Sequence, residues 1–388
     1  MMTSLNLRPA AAAALVAVLL SACNLTTRYV PPVSGVPDTL SGQVGTPVQA
    51  SAAALDFAQA QTWIHSPQLR EVVALALSHN RDLRVAVDNI EKARAQYGIT
   101  RADLLPGITA QGQGTRSRSS AELSNSGQST VTEQYTAQLG FTSYEIDFWG
   151  RVRNLSEAGL QAFLQSEQNQ RNVQIGLVAD VSNAWLTLAA DLARLELAQN
   201  TLDSREKAYA LTKRMFDIGA TSGLVIAQNL STVESARSDV AAYTSQAARS
   251  RNALQLLVGG AVPEALLPTA QTMAANDANN MAFVPVPLNL HSSVLLQRPD
   301  VQAAEHNLRA MNANIGAARA ALFPSITLTG SIGSGSRELD SLFGGGNGTW
   351  SFMPQIKLPI FDGGRLRAGV QVAEANQRIA TSQYEKTV

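Results

Sequence analysis

Arg101 to Thr109 reads R-A-D-L-L-P-G-I-T, and Arg319 to Thr327 reads R-A-A-L-F-P-S-I-T. Working backwards, Asp82 to Gly112 matches Asp300 to Gly330 at one constant offset, with about a dozen identities. Working forwards, Gly150-Arg151-Val152-Arg153 corresponds to Gly364-Arg365-Leu366-Arg367. The chain is therefore a duplicated unit. Each copy reads helix, proline break, a stretch of about forty residues, Gly-Arg-x-Arg, then helix.

Inside each copy the hydrophobic period is two, the signature of strands. Val131, Tyr135, Ala137, Leu139 and Phe141 alternate with Thr132, Gln134, Thr136, Gln138 and Thr142. Trp350, Phe352, Ile356, Leu358 and Ile360 alternate with Ser351, Met353, Gln355 and Lys357, and Ile326, Leu328 and Ile332 with Thr327, Thr329 and Ser331. Ile108 and Ala110 open a fourth run, against Thr109, Gln111 and Gln113. Four strands with one apolar face and one polar, mostly uncharged face match a transmembrane barrel with a wet lumen. Leu139, Phe141, Ile326, Leu328, Phe352, Ile356 and Leu358 are then expected on the lipid side. Thr136, Gln138, Thr327, Thr329 and Gln355 are expected on the lumen side. Arg118 to Thr130 and Ser334 to Gly348 read as Ser/Gly/Asn-rich connections. Glu133 falls on the apolar parity, which is tolerable only near the extracellular end. A soluble sandwich also alternates. Against it, the strands occur as isolated hairpins between long helices, and the polar face is Thr/Gln/Ser rather than Lys/Glu.

After Gly-Arg-x-Arg the period changes. Val178, Val181, Trp185, Leu188, Leu192, Leu195 and Leu202 follow spacings of three and four, with one gap at Gln199, and Tyr209 and Phe216 extend the series. This is a heptad seam. From Gly150 to about Asp203 such a helix runs on the order of 75 Å. Gly219 and Gly223 mark a turn. A return helix from about Val225 to Leu257 carries Leu230, Val233, Val240, Ala247 and Leu254. A soluble bundle explains the same spacing; length and the flanking hairpins favour a projecting α-helical tube.

The N-terminus is a targeting segment. Arg8 supplies a positive charge, Ala10 to Leu20 is apolar, and Leu20-Ser21-Ala22-Cys23 is a lipoprotein processing box. The apolar run is shorter than the ~20 residues a spanning helix needs. Cys23, the only cysteine among 388 residues, becomes an acylated mature N-terminus on this reading. The alternative is an ordinary signal peptide with a coincidental cysteine. Asn24 follows it, whereas Asp at that place is an inner-membrane retention signal, so outer-membrane sorting is favoured. The expected organisation is residues 1–22 as signal peptide and 23–61 as a lipid-anchored linker. A first repeat follows at 62–260, with a β-hairpin at about 106–145 and a helical hairpin at about 150–258. A linker at 261–290 leads to a second repeat at 291–388, with a β-hairpin at about 324–361.

Apolar residues make up 45% and charged residues 15%, which excludes a disordered chain, and a formal net charge of zero points away from nucleic acid. His65, His79, His291 and His306 lack metal-ligand spacing. Gly344-Gly345-Gly346 has no following Lys-Ser/Thr, and Gly330, Gly333 and Gly335 do not open a helix. No catalytic residue, metal or cofactor is expected.

With these features in place, the sequence resembles the outer-membrane efflux factors of the TolC and NodT type, in their lipoprotein branch. The marks are S-Y-E-I-D-F-W-G-R-V-R at Ser143 to Arg153, Q-R-P-D-V at Gln297 to Val301, A-A-L-F-P at Ala320 to Pro324, and L-P-I-F-D-G-G-R at Leu358 to Arg365. The resemblance implies a mixed α and transmembrane β fold. Each subunit gives four strands to a twelve-stranded barrel of a homotrimer, continued across the periplasm by an α-helical coiled-coil barrel. It implies a periplasmic adaptor protein and an inner-membrane pump as partners, and export of drugs or other small toxic compounds. A type I protein-secretion duct, a metal-efflux duct and a non-pore structural lipoprotein are the alternatives. Gly150 and Gly364 are placed at the swivel between strands and helices, with Pro106 and Pro324 breaking the incoming helices. Two departures stand out. Relatives commonly carry Asp and Arg early in the first return helix, where this chain has Val225 and Ala227. The chain also stops at Val388 inside a helix, without the second long hairpin where relatives keep gating acidic residues. It reads as a fragment or truncated product, and a stable trimer is expected only from a chain carried through that return helix.

Overall fold

The computed structural model describes residues 25–26, 29–32, 36, 63–123, 127–272 and 292–388. Along the chain, α1 (Pro67–His79) and α2 (Arg81–Ala102) lead into strands β1 (Ile108–Ser119) and β2 (Thr130–Ile146). Helices α3 (Arg151–Asp217) and α4 (Gly223–Val258) follow. The second copy supplies α5 (Pro299–Ala320), β3 (Ser325–Ser336), β4 (Gly348–Lys357) and α6 (Arg365–Thr387). Cys23, most of the segment before Trp63, and residues 273–291, including His291, lie outside the described residues.

The strands form an antiparallel sheet in the order β1-β2-β3-β4. Its central β2–β3 pairing joins the two copies of the repeat. Strand β1 runs on to Ser119 and β3 to Ser336, so Arg118 and Ser334 belong to strands rather than to the connections. The chain divides into two compact units that cut across the repeats. One collects the sheet, the ends of α2 and α3 nearest it, most of α5, and α6. The other collects α1, the start of α2, the rest of α3, and α4.

The second unit is built on an apolar core. Ile64, Leu69, Val72, Val73 and Ala76 meet Leu177, Val178, Val181, Trp185 and Leu188 of α3 and Leu254 and Val258 of α4. Pro67 follows the N-cap Ser66 and starts α1 where its missing N–H costs nothing. Buried Asn80 ties the layers together: its Nδ2 donates to Leu257 O and its Oδ1 accepts from the N–H of Leu83, both at 2.8 Å. Trp185 is 2% exposed and its indole N–H donates to Leu266 O at 3.0 Å.

Helix α3 continues past Asp203 to Asp217 without a break. Its seam is buried at Val178, Val181, Trp185 and Leu188, where α1 and α4 both cover it, but Phe216 is 44% exposed and Leu230 on α4 is 40% exposed. Near the turn the hairpin is two helices alone, and two helices cannot cover a full apolar stripe.

A carboxylate is buried between α3 and α4. Asp191 accepts hydrogen bonds from Ser250 Oγ at 2.7 Å, Arg194 Nη1 at 2.8 Å and Gln246 Nε2 at 3.3 Å. Burial raises its pKa, but the donors from Ser250, Gln246 and Arg194 outweigh that and hold it below the ordinary carboxylate range. A depressed folded-state pKa stabilises the hairpin above the unfolded-state value near ~3.9, and the contribution is lost as pH falls through the folded value. Thermal melts are expected to show an acid-side loss of stability starting near about pH 4. Asp191→Asn should flatten that limb. Asp191→Ala should cost about 1–3 kcal/mol at neutral pH, because it leaves the buried Ser250 hydroxyl without its carboxylate acceptor.

Candidate channel wall and its helix junctions

The sheet register sorts the strand side chains. Directly opposed residues of neighbouring strands share a face. Leu139 pairs with Ala110 and Ile332, Phe141 with Ile108 and Gly330, Ile326 with Ile146 and Ile356, Leu328 with Tyr144, and Gly330 with Phe352. Leu139, Phe141, Ile326, Leu328, Phe352 and Ile356 therefore lie on one face, with Trp350 and Ile332. Gln138 pairs with Gln111 and Gly333, Thr136 with Gln113 and Gly335, and Thr327 with Glu145 and Gln355. Thr136, Gln138, Thr327, Thr329 and Gln355 lie on the other face. Leu358 is corrected: β4 ends at Lys357, so Leu358 and the following Ile360 fall beyond the ladder, 53% and 93% exposed.

Two details of the sheet go beyond a simple alternation. Between Phe141 and Tyr144 the β2–β3 register shifts at a bulge, with Ser143 at φ 55 and its N–H donating to Thr329 Oγ1 at 3.1 Å. The extra residue switches parity, so Tyr144 and Ile146 stay on the apolar face with Phe141. Glu133, an acid on that face, pairs with Arg116 directly across the hairpin at 2.8 Å, close to the β1–β2 connection. The charge thus sits at the end of the strands away from the helices.

The polar face is crowded by its own backbone. A methyl group at Gly333 would lie 2.2 Å from Ala137 O, and one at Gly140 2.5 Å from Gly330 O. Strand lies against strand at these two positions, and only glycine permits so close an approach. On the apolar face the rings of Tyr135 and Phe141 lie against Gly114 and Gly330, filling the space that those residues leave.

Each exit from the sheet into a helix is built alike. Gly150 has φ 78 and Gly364 φ 87, the left-handed region that other residues enter only with strain. At the first exit, Arg151 makes a bidentate pair with Glu145 at 2.8 and 2.6 Å, and Asp147 Oδ2 accepts from the N–H of Arg153 at 2.8 Å. The Glu145 carboxylate raises the Arg151 pKa. At the second exit, Asp362 accepts from the N–H groups of Leu366 and Gly364 at 2.8 and 3.0 Å, which hold its carboxyl below its usual range. Both carboxylates sit at helix N-termini, where backbone N–H groups lack partners. Entry to the strands is set by the prolines. Pro106 follows the end of α2, and Pro324 likewise follows the end of α5 at Ala320, its carbonyl accepting from the Trp149 indole at 2.8 Å. Trp149 stacks on Phe323 with centroids 4.9 Å apart, and the Tyr144 hydroxyl donates to Leu104 O at 3.2 Å. Trp149 thus ties the first copy to the second where strands meet helices, while Glu145, Asp147 and Tyr144 brace the first copy's own junction.

Among the described residues no group of three or more His, Cys, Asp or Glu is arranged to hold a metal ion. His306 instead shares a hydrogen bond of 2.7 Å with Gln161.

This geometry accompanies a match to the family model described as outer membrane efflux protein, over residues 72–260 and 290–388. The chain belongs to the outer membrane efflux protein family. It is 42% identical to the antibiotic efflux pump outer membrane protein ArpC and to the toluene efflux pump outer membrane protein TtgC, both of Pseudomonas putida. Each of these alignments covers 97% of this chain and 76% of the relative. Among solved structures it is similar to the open state of the Neisseria gonorrhoeae MtrE outer membrane channel, at a TM-score of 0.78 and 35% identity, covering 94% of this chain and 79% of that one. Family membership makes this a protein of the outer membrane that serves efflux. The sheet of this outer membrane efflux protein is the candidate membrane wall, and Gly150 and Gly364 are its exits.

Proposed function

We propose that this chain is one subunit of a homotrimeric outer-membrane channel that exports drugs or other small toxic compounds, with no cofactor and no catalytic step. The observation that carries the reading is the sheet: four strands with one face mainly apolar, charged only at the Arg116–Glu133 end, and an opposite face mainly of Thr, Gln, Ser and Gly. Four strands leave β1 and β4 as open edges. Hydrocarbon cannot satisfy their unpaired N–H and C=O groups, so several chains must close a barrel together. Three chains of four strands meet the requirement with the even strand number of such barrels. The apolar face takes the acyl chains of outer-membrane lipid, and the polar face lines water.

The long α3–α4 hairpin is the periplasmic duct. Its turn exposes Ile218 (80%) and Leu224 (68%), an apolar surface for a periplasmic adaptor protein, which in turn joins an inner-membrane pump. The names of the relatives, antibiotic and toluene efflux components, favour small and largely apolar cargo. Acylation of Cys23 anchors the subunit; one acyl chain holds a protein only marginally, and several hold it stably.

The test is complementation. Expression of a chain carried through the second return helix, in a strain lacking its outer-membrane efflux component and with the matching adaptor and pump present, is expected to restore resistance to toluene and to a dye such as ethidium. Cross-linking in membranes should give a species of three chains. A protein that reaches the outer membrane as a trimer yet restores no efflux would overturn the functional reading.

A further inference from the structure

The connection between β3 and β4 folds back onto the apolar face of the sheet. The Ser334 hydroxyl, on that face in the row of Gly112 and Ala137, donates to Leu342 O. Within the loop, Asn347 Nδ2 donates to Ser341 O at 2.6 Å. Leu342 is buried, yet this braced loop holds Phe343 82% exposed. Phe343 forms one wall of a groove of about 580 Å³. Its floor is two rows of the apolar face, Ala110–Leu139–Ile332 and Gly112–Ala137–Ser334. The floor is low where the side chains are small: a methyl group at Gly112 would meet nothing within 4 Å.

The register gives the height of the groove. From Ile326 to Ser336, β3 rises about 34 Å along its own axis. At the tilt of barrel strands this stands ~25 Å tall, the height of a barrel's apolar band. Ser336 is level with Tyr135 and Gly114, so the Tyr135 ring closes the band. The next row on the same face is Arg116 opposite Glu133, and the one after it is Arg118 opposite Val131. Both arginines are exposed. Glu133 pairs with Arg116 at 2.8 Å, and Arg118 Nη2 donates to Ser129 Oγ at 3.4 Å. A guanidinium has five N–H donors, so these contacts leave several for an anion. Arg118 stands about 10 Å beyond the band, at the level of lipid headgroups. This end of the sheet points away from the helices.

We propose that this face holds a phosphate-bearing lipid of the outer leaflet, with one acyl chain in the groove beside Phe343 and the headgroup phosphate on Arg118 and Arg116. The inference rests on the reading of the sheet as a membrane wall whose helices lie in the periplasm. The chemistry selects the occupant. Ala, Gly, Leu, Ile and Phe offer hydrocarbon a dry surface, and the planar guanidinium matches the oxygens of a phosphate. Gly112 and Arg118 are about 20 Å apart along β1, with the arginine outermost. A lipid in its own leaflet spans that distance in the same sense, headgroup out and chain in. The site is expected once per chain. In β3 the counterparts of Arg116 and Arg118 are Ser334 and Ser336, which carry no charge.

The test uses a chain carried through the second return helix, purified from outer membranes in detergent. It is offered bisphosphorylated lipid A, the same lipid dephosphorylated, or inorganic phosphate, and bound lipid is counted by native mass spectrometry. The wild type is expected to hold one lipid A per chain and to bind the dephosphorylated lipid about tenfold more weakly. Inorganic phosphate should not displace either. Arg116→Gln with Arg118→Gln should remove the preference for the phosphorylated lipid. Gly112→Leu, which fills the groove where there is room for a side chain, should weaken both lipids alike. Heat-resistant oligomer on gels shows that each variant is folded, and the wild-type comparison of the two lipids stands even if one variant is not. Equal binding of the two lipids by the wild type, or wild-type binding by both folded variants, would overturn the lipid site. Displacement by inorganic phosphate would overturn lipid as the occupant. A wild-type chain that is never recovered from the outer membrane would overturn the channel reading beneath it.

Discussion

Leu139→Lys is expected to abolish assembly in the membrane, whereas Gln138→Lys, one residue away, is expected to assemble as the wild type does. Leu139 stands in a row with Ala110, Ile332 and Trp350, mid-sheet on the apolar face. A lysine near the midplane of the lipid face costs about 2–4 kcal/mol in every copy. The cost recurs in each subunit of the proposed trimer, which makes the total comparable with the ~5–15 kcal/mol stability of a whole folded domain. Gln138 stands in a row with Gln111 and Gly333 on the polar face, where a lysine keeps its hydration. Its cost should stay within about 0.5 kcal/mol, as for other hydrated surface positions. Its visible effect should be on permeation, with conductance shifted toward anions. Heat-resistant oligomer on gels and single-channel recordings in planar bilayers check the pair. Equal loss of oligomer in both variants would reject the assignment of the two faces.

Trp185→Ala carries the second large effect, in the helical unit. Trp185 fills the layer between α1, α3 and α4 beside Val181, Leu188 and Leu254, and its indole N–H satisfies Leu266 O. Truncation leaves a cavity that a helix packed on two sides cannot close, and large-to-small changes of this kind cost about 3–5 kcal/mol. The loss should be local. Hydrogen exchange is expected to speed up in α1, α4 and the middle of α3, while the amides of β2 and β3 keep their protection, because the sheet belongs to the other compact unit. Uniform acceleration in both units would show that the two melt as one.

Much of the sheet is legible in the sequence, because a period of two leaves little freedom in assigning faces. The four strands and both sets of wall residues follow from the alternation of Val, Tyr, Leu, Phe and Ile with Thr, Gln and Ser. Alternation cannot see a bulge, so the parity switch at Ser143 and the place of Tyr144 on the apolar face emerge only from the register. Nor does it mark where a ladder stops, which is why Leu358 reads as a strand residue although β4 ends before it. At the helix junctions, Gly150 and Gly364 stand out as glycines after strands. The Glu145–Arg151 and Asp147–Arg153 pairs do not, although acids and arginines flanking Gly150 six residues apart are in plain view. The heptad seam gives the spacing and is silent about depth. The same stripe is covered at Trp185 and open at Phe216, because burial depends on how many helices arrive, which no local pattern records.

The glycines at 140 and 333 have a bearing on how such a duct can change over generations. On the proposed reading the side chains that meet cargo are Gln, Thr and Ser, and many of them can be exchanged without moving the main chain. The calibre is another matter. It is written in the main chain, at positions where strand lies against strand and even one added carbon collides with a carbonyl oxygen. Selection can therefore retune the chemistry of the passage step by step, while its width stays fixed by steric necessity. A shift to bulkier cargo then has to come from changes in strand number or stagger, which point mutation does not supply.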